Sequence, residues 1–458
     1  MTVASATRGG WAARLGLDRP ELRAWAMYDW AVSALQTTVL VAVFPIFFVR
    51  VAAAGLPESR GTQALATANT IVAVIVALLS PVLGAISDYA AAKKRMLAAS
   101  MLVGAAATAG MFFIGRGDLA LASTLFIIAL VGGTASFVFY EALLPHIAGP
   151  GEIDRVSSAG YAVGYIGGGI LLALNLAWIQ RPDLFGLPHG EGLSDQAATL
   201  PARLAFVSVA VWWIVFSMPL LRRVPEPPRT LEADEVARGA VVRTSFSRLG
   251  ETLRDLMGFR QAFLMLLAFL VYNDGIQTII KMATAYGTEI GIGQSSLIAA
   301  VLVVQFVGVP CAFLFGMLAS RIGAKRAVFV GLMAYTVITM IGYYMRTAAH
   351  FFMLAALVGM VQGGTQALSR SLFATLIPAH KSGEFFGFFS VFEKFSSIFG
   401  PLLFSVAIAR TGSSRSAILS VIAFFAIGAV LLAFVDVPRG QRAAREAEAG
   451  VRRADLPA

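Results

Sequence analysis

The sequence predicts an all-α integral membrane protein whose twelve transmembrane helices form two six-helix pseudo-repeats. Apolar residues make up 58% of the 458 residues and charged residues only 14%, against about 25% charged in soluble proteins. Apolar runs of roughly 20 residues, the length that crosses the hydrocarbon core of a bilayer, recur along the whole chain. Short polar motifs between these runs repeat from the first half of the chain to the second.

The predicted spans, numbered helix 1 to helix 12, are separated by short polar connections. They cover residues 24–49, 62–87, 95–115, 119–144, 157–180, 203–221, 260–286, 295–319, 326–346, 350–376, 384–409 and 414–436. We therefore divide the chain into a cytoplasmic tail, an N-terminal six-helix half, a cytoplasmic linker, a C-terminal six-helix half and a basic cytoplasmic tail, at residues 1–23, 24–221, 222–259, 260–436 and 437–458.

The linker ends in the segment TSFSRLGETLRDLMGF, whose apolar residues recur at three- and four-residue spacing. This period predicts an amphipathic helix lying along the membrane surface.

Lys and Arg are concentrated in the two tails, the linker and the connections after helices 2, 4, 8 and 10. Short cytoplasmic connections carry such an excess, so we expect both termini inside and a multi-pass protein of the cell inner membrane. The formal charge of +10 follows from this topology. It gives no reason to expect nucleic acid as a partner; we expect the lipid bilayer, a small-molecule substrate and a monomer.

Cysteine and histidine patterns argue against several kinds of chemistry. The single Cys311 excludes a disulfide or a paired redox motif. The four histidines show no metal-ligand spacing, and no nucleophile–base set or phosphate-binding loop is present. We expect no metal, no cofactor and no enzymatic activity.

Helix 7 carries polar residues in a segment apolar enough to enter a membrane. Asn273, Gln277 and Lys281 recur every four residues and share one face, with Asp274 on the adjoining edge. A charge at mid-bilayer costs roughly 2.5–3.5 kcal/mol, so such residues face a bundle interior or a wet cavity. The stripe indicates either a substrate or ion path, or polar contacts that only join helices.

Two further stripes have the same period. Asp29, Ser33 and Gln36 lie on one face of helix 1, and Gln362, Gln366 and Arg370 lie on one face of helix 10. Helix 11 adds the neighbouring charges Glu393 and Lys394, which point in different directions around their helix, so that one of the two is structural.

The connections after helices 2 and 8 repeat each other. They read GAISDYAAAKKR and GMLASRIGAKR, and in both the first Lys follows the first Gly by nine residues. These loops resemble the cytoplasmic motif of the major facilitator superfamily, Gly-x-x-x-Asp-Arg-x-Gly-Arg-Arg/Lys. The first copy has Tyr89 and Ala91 where Arg and Gly are usual, and the second has Ser320 in place of Asp.

Longer motifs resemble one branch of that superfamily, the vacuole effluxers. They are WAMYDWAVSALQT in helix 1, FLVYNDGIQTIIKMATAYG in helix 7, GGTQALSRSLFATLIP in helix 10 and EFFGFFSVFEKFSSIFGPLLF in helix 11. Eukaryotic relatives in this branch are vacuolar membrane proteins associated with amino acid export. The resemblance implies two halves that rock about a central cavity lined by helices 1, 4, 7 and 10, and a cytoplasmic gate formed by the loop motifs.

The interior charges fit that architecture, because helices 3, 6, 9 and 12 have none while the cavity helices carry several. Asp29 is either a proton-binding carboxylate or a capped acid near the interface, and Asp274 is the first candidate for ion coupling. Lys281 and Arg370 either bind an acidic group of the substrate or neutralise Asp274, Glu141 or Glu393. We expect Glu141 and Arg370 at an inner gate, together with the loop residues Gly84, Asp88, Lys93, Lys94, Arg95, Gly316, Arg321, Lys325 and Arg326.

The sequence thus predicts a secondary transporter that works by alternating access. Amino acids or similar zwitterions are the leading substrate, with export implied by the resemblance and protons as the candidate coupling ion. Two alternatives stay open: a lipid-like or amphiphilic substrate, favoured by the Phe-rich helix 11, and a non-transporting membrane receptor or scaffold.

Overall fold

The computed structural model describes residues 15–149, 151–228, 249–289, 294–396, 399–400, 403, 406–407, 410 and 414–454. Ten helices in this part of the chain are long and apolar enough to cross a membrane. They are α1 (Pro20–Ala52), α2 (Glu58–Tyr89), α3 (Lys93–Gly110), α4 (Leu119–Ile147), α5 (Ile153–Gln180), α6 (Asp195–Arg223), α7 (Arg260–Glu289), α8 (Gln294–Ile322), α9 (Ala324–Tyr343) and α10 (Ala348–Thr375).

The eleventh predicted span contains α11 (Ser382–Phe395). The twelfth contains α12, which consists of Ser414–Ser420 and Ile422–Ala433. All twelve predicted helices therefore correspond to helical segments in the expected order, which confirms the predicted all-α fold.

Helix α1 is not a regular α-helix throughout. Leu35–Ala42 and Phe48–Ala52 are π-helical, with Phe44–Phe47 between them. Pro45 has no N–H to donate within this stretch, and the Val43 N–H bonds the carbonyl of Thr38, five residues earlier, at 2.8 Å. Such wide turns are frequent at functional sites.

The turns after α2 and α8, which contain the repeated loop motifs, both reach the left-handed region of backbone conformation. Gly323, before α9, has φ +87°, and Ala91, before α3, has φ +46°. The first loop thus keeps a left-handed turn although Ala91 stands where the superfamily motif has Gly.

Two helices lie outside the twelve spans, one in the linker and one in the C-terminal tail. The predicted amphipathic helix runs over Leu249–Gly258, with Leu256 fully buried; the earlier residues of the predicted segment, 244–248, lie outside the described residues. The C-terminal tail, predicted only as basic, is a helix over Val437–Ala454, bent by 60° from the end of α12. Glu448 on this helix accepts the backbone N–H of Ala379 at 2.8 Å, which holds the helix against the α10–α11 connection.

The two six-helix halves pack against each other through α2 with α11 and through α5 with α8 and α10. The connections after α2, α4 and α10 and the Leu249–Gly258 helix lie together at one end of the bundle. We call this end of the bundle the linker end.

Candidate functional site

Glycine residues on one face of α5 bring it unusually close to α1. A Cβ atom at Gly160 would overlap Asp29 Oδ2, one at Gly164 would lie 2.7 Å from Ser33 Oγ, and one at Gly167 would overlap the carbonyl of Trp30. Small residues allow such close packing of membrane helices. The α1 carboxylate consequently lies at the seam where α5 meets α10.

Asp29 on α1 and Arg370 on α10 form a buried ion pair between the two halves. Arg370 Nη2 lies 3.5 Å from Asp29 Oδ2, and the two side chains are 1% and 5% exposed. The Tyr140 hydroxyl donates to the same carboxylate oxygen at 2.6 Å. Since a buried charge is tolerated only when paired and hydrogen-bonded, these contacts explain how Asp29 is accommodated inside the protein.

Further contacts hold the guanidinium group in place. Arg370 Nε donates to Ser157 Oγ and Nη2 donates to the Ser157 carbonyl, both at 2.9 Å. The guanidinium carbon lies 4.6–5.6 Å from the ring centroids of Trp25, Tyr140 and Tyr161. Such cation–π contacts contribute about 2 kcal/mol when desolvated. Nη1 has no hydrogen-bond partner among the described residues.

Glu141 is a second buried acid, next to Tyr140 on α4. It is 2% exposed, and its Oε2 has no hydrogen-bond partner among the described residues. Arg370, Glu393 and Lys394 all lie within electrostatic range of its carboxyl group. We use the name central cluster for Trp25, Asp29, Tyr140, Glu141, Ser157, Tyr161 and Arg370.

The two predicted stripes lead away from this cluster. On α1, Asp29 is buried, Ser33 half-buried and Gln36 exposed; on α10, Arg370 is buried while Gln366 and Gln362 are half-buried. Exposure therefore rises with distance from the linker end on both helices. On both helices the charged residue is the most buried member of its stripe and belongs to the central cluster.

The polar residues of α7 contact α11. Asp274 accepts the backbone N–H groups of Phe399 and Gly400 at 3.1 and 2.8 Å, and Asn273 donates to Ser396 Oγ at 2.5 Å. Gln277 is half-buried, and the side chain of Lys281 lies outside the part of the chain that the structure describes. The α7 stripe thus meets the backbone of α11, whereas the acid paired with Arg370 is Asp29.

At the linker end, the first loop motif joins the two halves. A Cβ atom at Gly84 would overlap the carbonyl of Gly383. Asp88 pairs with Lys93 and accepts the N–H groups of Gly383 and Glu384 at 3.1 and 2.8 Å. A carboxylate is favourable at the first turn of a helix, here α11, because unpaired N–H groups point outwards there.

The other predicted gate residues have mostly local roles. The backbone N–H of Lys94 donates to Glu226 at 3.0 Å, and Arg95 is exposed. Gly316 lies against Ser158 of α5 and so contributes to the contact between the halves. Lys325 donates to the carbonyls of Ala433 and Val435 at the end of α12, each at 2.8 Å, and Arg321 and Arg326 are exposed.

The sequence analysis did not single out the tyrosines and serine that surround Arg370. Tyr140 and Tyr161 flank its guanidinium, and Ser157 supplies two acceptors. Tyr165, one turn further along α5, lies against Gly308 of α8 and Gly363 of α10, and its hydroxyl has no partner among the described residues. These residues could have been found from the sequence by one feature, the presence of a polar side chain inside an apolar span.

Comparisons with known proteins agree with this architecture. Residues 59–445 match the model of the family described as "Vacuole effluxer Atg22 like". The chain is 38% identical over 412 residues to the uncharacterized MFS-type transporter YxiO of Bacillus subtilis (strain 168), covering 90% of this chain and 94% of that protein. It is 25% identical over 310 residues to autophagy-related protein 22-1 of Penicillium rubens, covering 63% of this chain and 50% of that protein.

Solved structures of similar fold are transporters of the major facilitator superfamily (MFS). FucP in its outward conformation superposes with a TM-score of 0.67 at 13% identity, covering 92% of this chain and 99% of that one. The proton:xylose symporter XylE superposes with a TM-score of 0.66 at 15% identity, covering 93% and 96%. The chain is a multi-pass membrane protein and belongs to the Atg22-like vacuole effluxer family of MFS-type transporters.

Proposed function

We propose that this transporter moves amino acids or similar small zwitterions by alternating access, with protons as the coupling ion and export as the direction. The observation that carries the proposal is the central cluster, which combines a buried cation and two buried acids where the halves meet. Arg370 Nη1 and Glu141 Oε2 are buried and have no hydrogen-bond partner among the described residues. A zwitterion carries an acceptor for the first group and a donor for the second.

The same cluster supports coupling between substrate and protons. Asp29 is held by Arg370 and Tyr140, whereas Glu141 retains an oxygen with no donor among the described residues. A buried carboxyl group without a full set of donors is costly as an anion. We therefore assign the coupled proton to Glu141, and substrate carboxylate binding to Arg370.

Transport in proteoliposomes tests the proposal. We expect counterflow of radiolabelled amino acids that responds to a pH gradient, with competition by zwitterions but not by the corresponding amines or N-acyl acids. Glu141→Gln should keep exchange and lose its response to the gradient. Thr336→Val is a suitable control, because the one bond of the Thr336 hydroxyl within the described part of the chain is to the Leu332 carbonyl of its own helix. Equal competition by amines and N-acyl acids would contradict the proposal that the substrate is a zwitterion.

A second candidate is a lipid-like substrate. A groove of about 670 Å³ lies between α2 and α4, lined mainly by apolar side chains with a few polar ones. Among its lining residues are Leu56, Arg60, Thr67, Ile71 and Ile127. A thermal-shift screen separates the two, since ligand at 100 times its Kd stabilises by about 2.7 kcal/mol. Stabilisation by lysolipids alone, unchanged in Glu141→Gln, would favour the lipid-like substrate.

We further propose that the protein works as a monomer in the cell inner membrane, with the linker end and both termini in the cytoplasm. The concentration of Lys and Arg at this end supports the orientation. Labelling of single cysteines introduced at Gly258 and Gly186, in a Cys311→Ser background, tests it in intact cells. Reaction of an impermeant reagent with the cysteine at position 258 would show that the linker end faces outwards and would contradict the proposed orientation.

A further inference from the structure

Helix α11 is interrupted beside α7. Ser382–Phe395 is helical, Ser396 lies in a turn with ψ +11°, and Phe399 and Gly400 are again helical. Ser396 closes the first segment, because its N–H bonds the Phe392 carbonyl at 2.9 Å and its hydroxyl bonds the Glu393 carbonyl at 2.6 Å. Backbone N–H groups at the start of a helix need acceptors from elsewhere.

The acceptor is Asp274. Its Oδ2 takes the Phe399 N–H at 3.1 Å and its Oδ1 takes the Gly400 N–H at 2.8 Å, while the residue is 1% exposed. Its neighbour Asn273 donates to Ser396 on the other side of the interruption. Adjacent residues of α7 thus contact both sides of the interruption.

Close approach is required for this arrangement. A Cβ atom at Gly400 would overlap Thr278 Oγ1 and would lie 2.7 Å from Asp274 Oδ1. Only glycine at this position lets the backbone reach the carboxylate without displacing α7.

Glu393 and Lys394 lie at the end of the first segment, just before Ser396. Both lie within electrostatic range of Glu141 in the central cluster. Ser396 bonds both the Glu393 carbonyl and Asn273, so the end of the segment that carries these charges is tied to α7.

We propose that Asp274 is a positioning residue, a fixed anionic cap on the backbone of Phe399 and Gly400 that acts with the Asn273–Ser396 bond to hold α11 against α7, with Glu393 and Lys394 beside the central cluster, and that it does not carry the coupled proton. Both of its oxygens accept N–H groups, so protonation would turn one acceptor into a donor facing another donor. The role rests on the proposed function, since the cap matters to transport only if the central cluster is the transport site.

Two substitutions separate a cap from a proton carrier. An Asn side chain has one acceptor oxygen, so it can keep one of the two bonds to the α11 backbone, whereas Ala keeps neither. We expect Asp274→Asn to lose less transport than Asp274→Ala and to keep the wild-type pH profile, and Asp274→Ala to lose about fivefold or more, the factor that corresponds to one lost cap. Thr336→Val is the control, because the Thr336 hydroxyl bonds the Leu332 carbonyl within α9.

Infrared titration of the purified protein gives a readout that needs no transport assay. The band of protonated carboxyl groups should persist in Asp274→Asn and lose intensity in Glu141→Gln. Loss of that band in Asp274→Asn, or an Asn variant that transports without any response to a pH gradient, would overturn the proposal. A wild-type protein without zwitterion transport would reject the proposed function, while the infrared result would still decide whether Asp274 binds the proton.

Discussion

Arg370 and Asp29 lie 341 positions apart in the chain and meet at 3.5 Å between the two halves of the protein. The contact joins α10 to α1. Separation of the halves at this point requires that the pair break or exchange its partners.

Removal of one member should destabilise the protein strongly. Asp29→Asn or Arg370→Gln leaves an uncompensated buried charge, which costs about 3–5 kcal/mol. The double variant should recover much of the lost thermal stability, because two neutral groups remain, but should not recover transport. The exposed pair Arg116–Asp195, with atoms 3.2 Å apart, is the control; Arg116→Gln should change stability by about 1 kcal/mol or less. Single variants as stable as the control would contradict the buried pair.

Gly160→Ala should disturb the ion pair without changing any charge. The added methyl group would overlap Asp29 Oδ2 and lie 3.1 Å from Arg370 Nη2, and overpacking of this kind costs about 1–3 kcal/mol. We expect lower thermal stability and reduced transport. Gly169→Ala on the same helix is the comparison, since its nearest neighbour, Gln305 Cβ, is 3.4 Å away. Equal effects of the two substitutions would remove the special role of Gly160.

Gly84→Ala should open the linker end. The methyl group would overlap the Gly383 carbonyl at the crossing of α2 and α11, where no flexible side chain can yield. A cysteine introduced as Ser87→Cys, at a fully buried position, reports the change in a Cys311→Ser background. Its maleimide labelling should be slow alone and faster with Gly84→Ala. Gly258→Ala, with open space around it, should leave the labelling rate unchanged.

Ala91→Gly should stabilise the protein. Ala91 has φ +46°, and a left-handed conformation costs a residue with a Cβ atom about 1–2 kcal/mol. Glycine relieves this strain but loses more backbone entropy on folding, so the net gain should be about 0.5–1 kcal/mol. Thermal unfolding measures it. Ala90→Gly, where φ is −87°, should lower stability instead, and a gain there as well would point to a different cause.

The sequence predicted the order of the helices and the faces of their polar stripes, because both depend on local periodicity. Apolar length defines a span, and four-residue spacing places Gln362, Gln366 and Arg370 on one face whatever surrounds them. The glycines of α5 that pack against α1 in the structure, Gly160, Gly164 and Gly167, also recur at helical spacing.

Partners across the bundle were beyond that reasoning. The sequence analysis considered Asp274, Glu141 and Glu393 as acids that could neutralise Arg370. In the structure, Arg370 forms its ion pair with Asp29. Asp274 and Lys325 bond backbone groups of α11 and of the end of α12. Every residue has a backbone carbonyl and all but proline have a backbone N–H, so a hydrogen bond to the backbone cannot be recognised from residue types. The π-helical turns of α1 were not predicted, because the sequence analysis assumed a period of 3.6 residues throughout.

Tyr165 gives the contact between the halves an unusual mechanical property. Its ring lies on the backbone of Gly308 and Gly363, and the hydroxyl has no hydrogen-bond partner among the described residues. Dispersion forces between flat surfaces have little directional preference. If the halves rotate against each other during transport, as proposed, sliding of α5 over α8 and α10 at this point breaks no hydrogen bond of the tyrosine among the described residues, whereas the Asp29–Arg370 pair has to break or exchange partners.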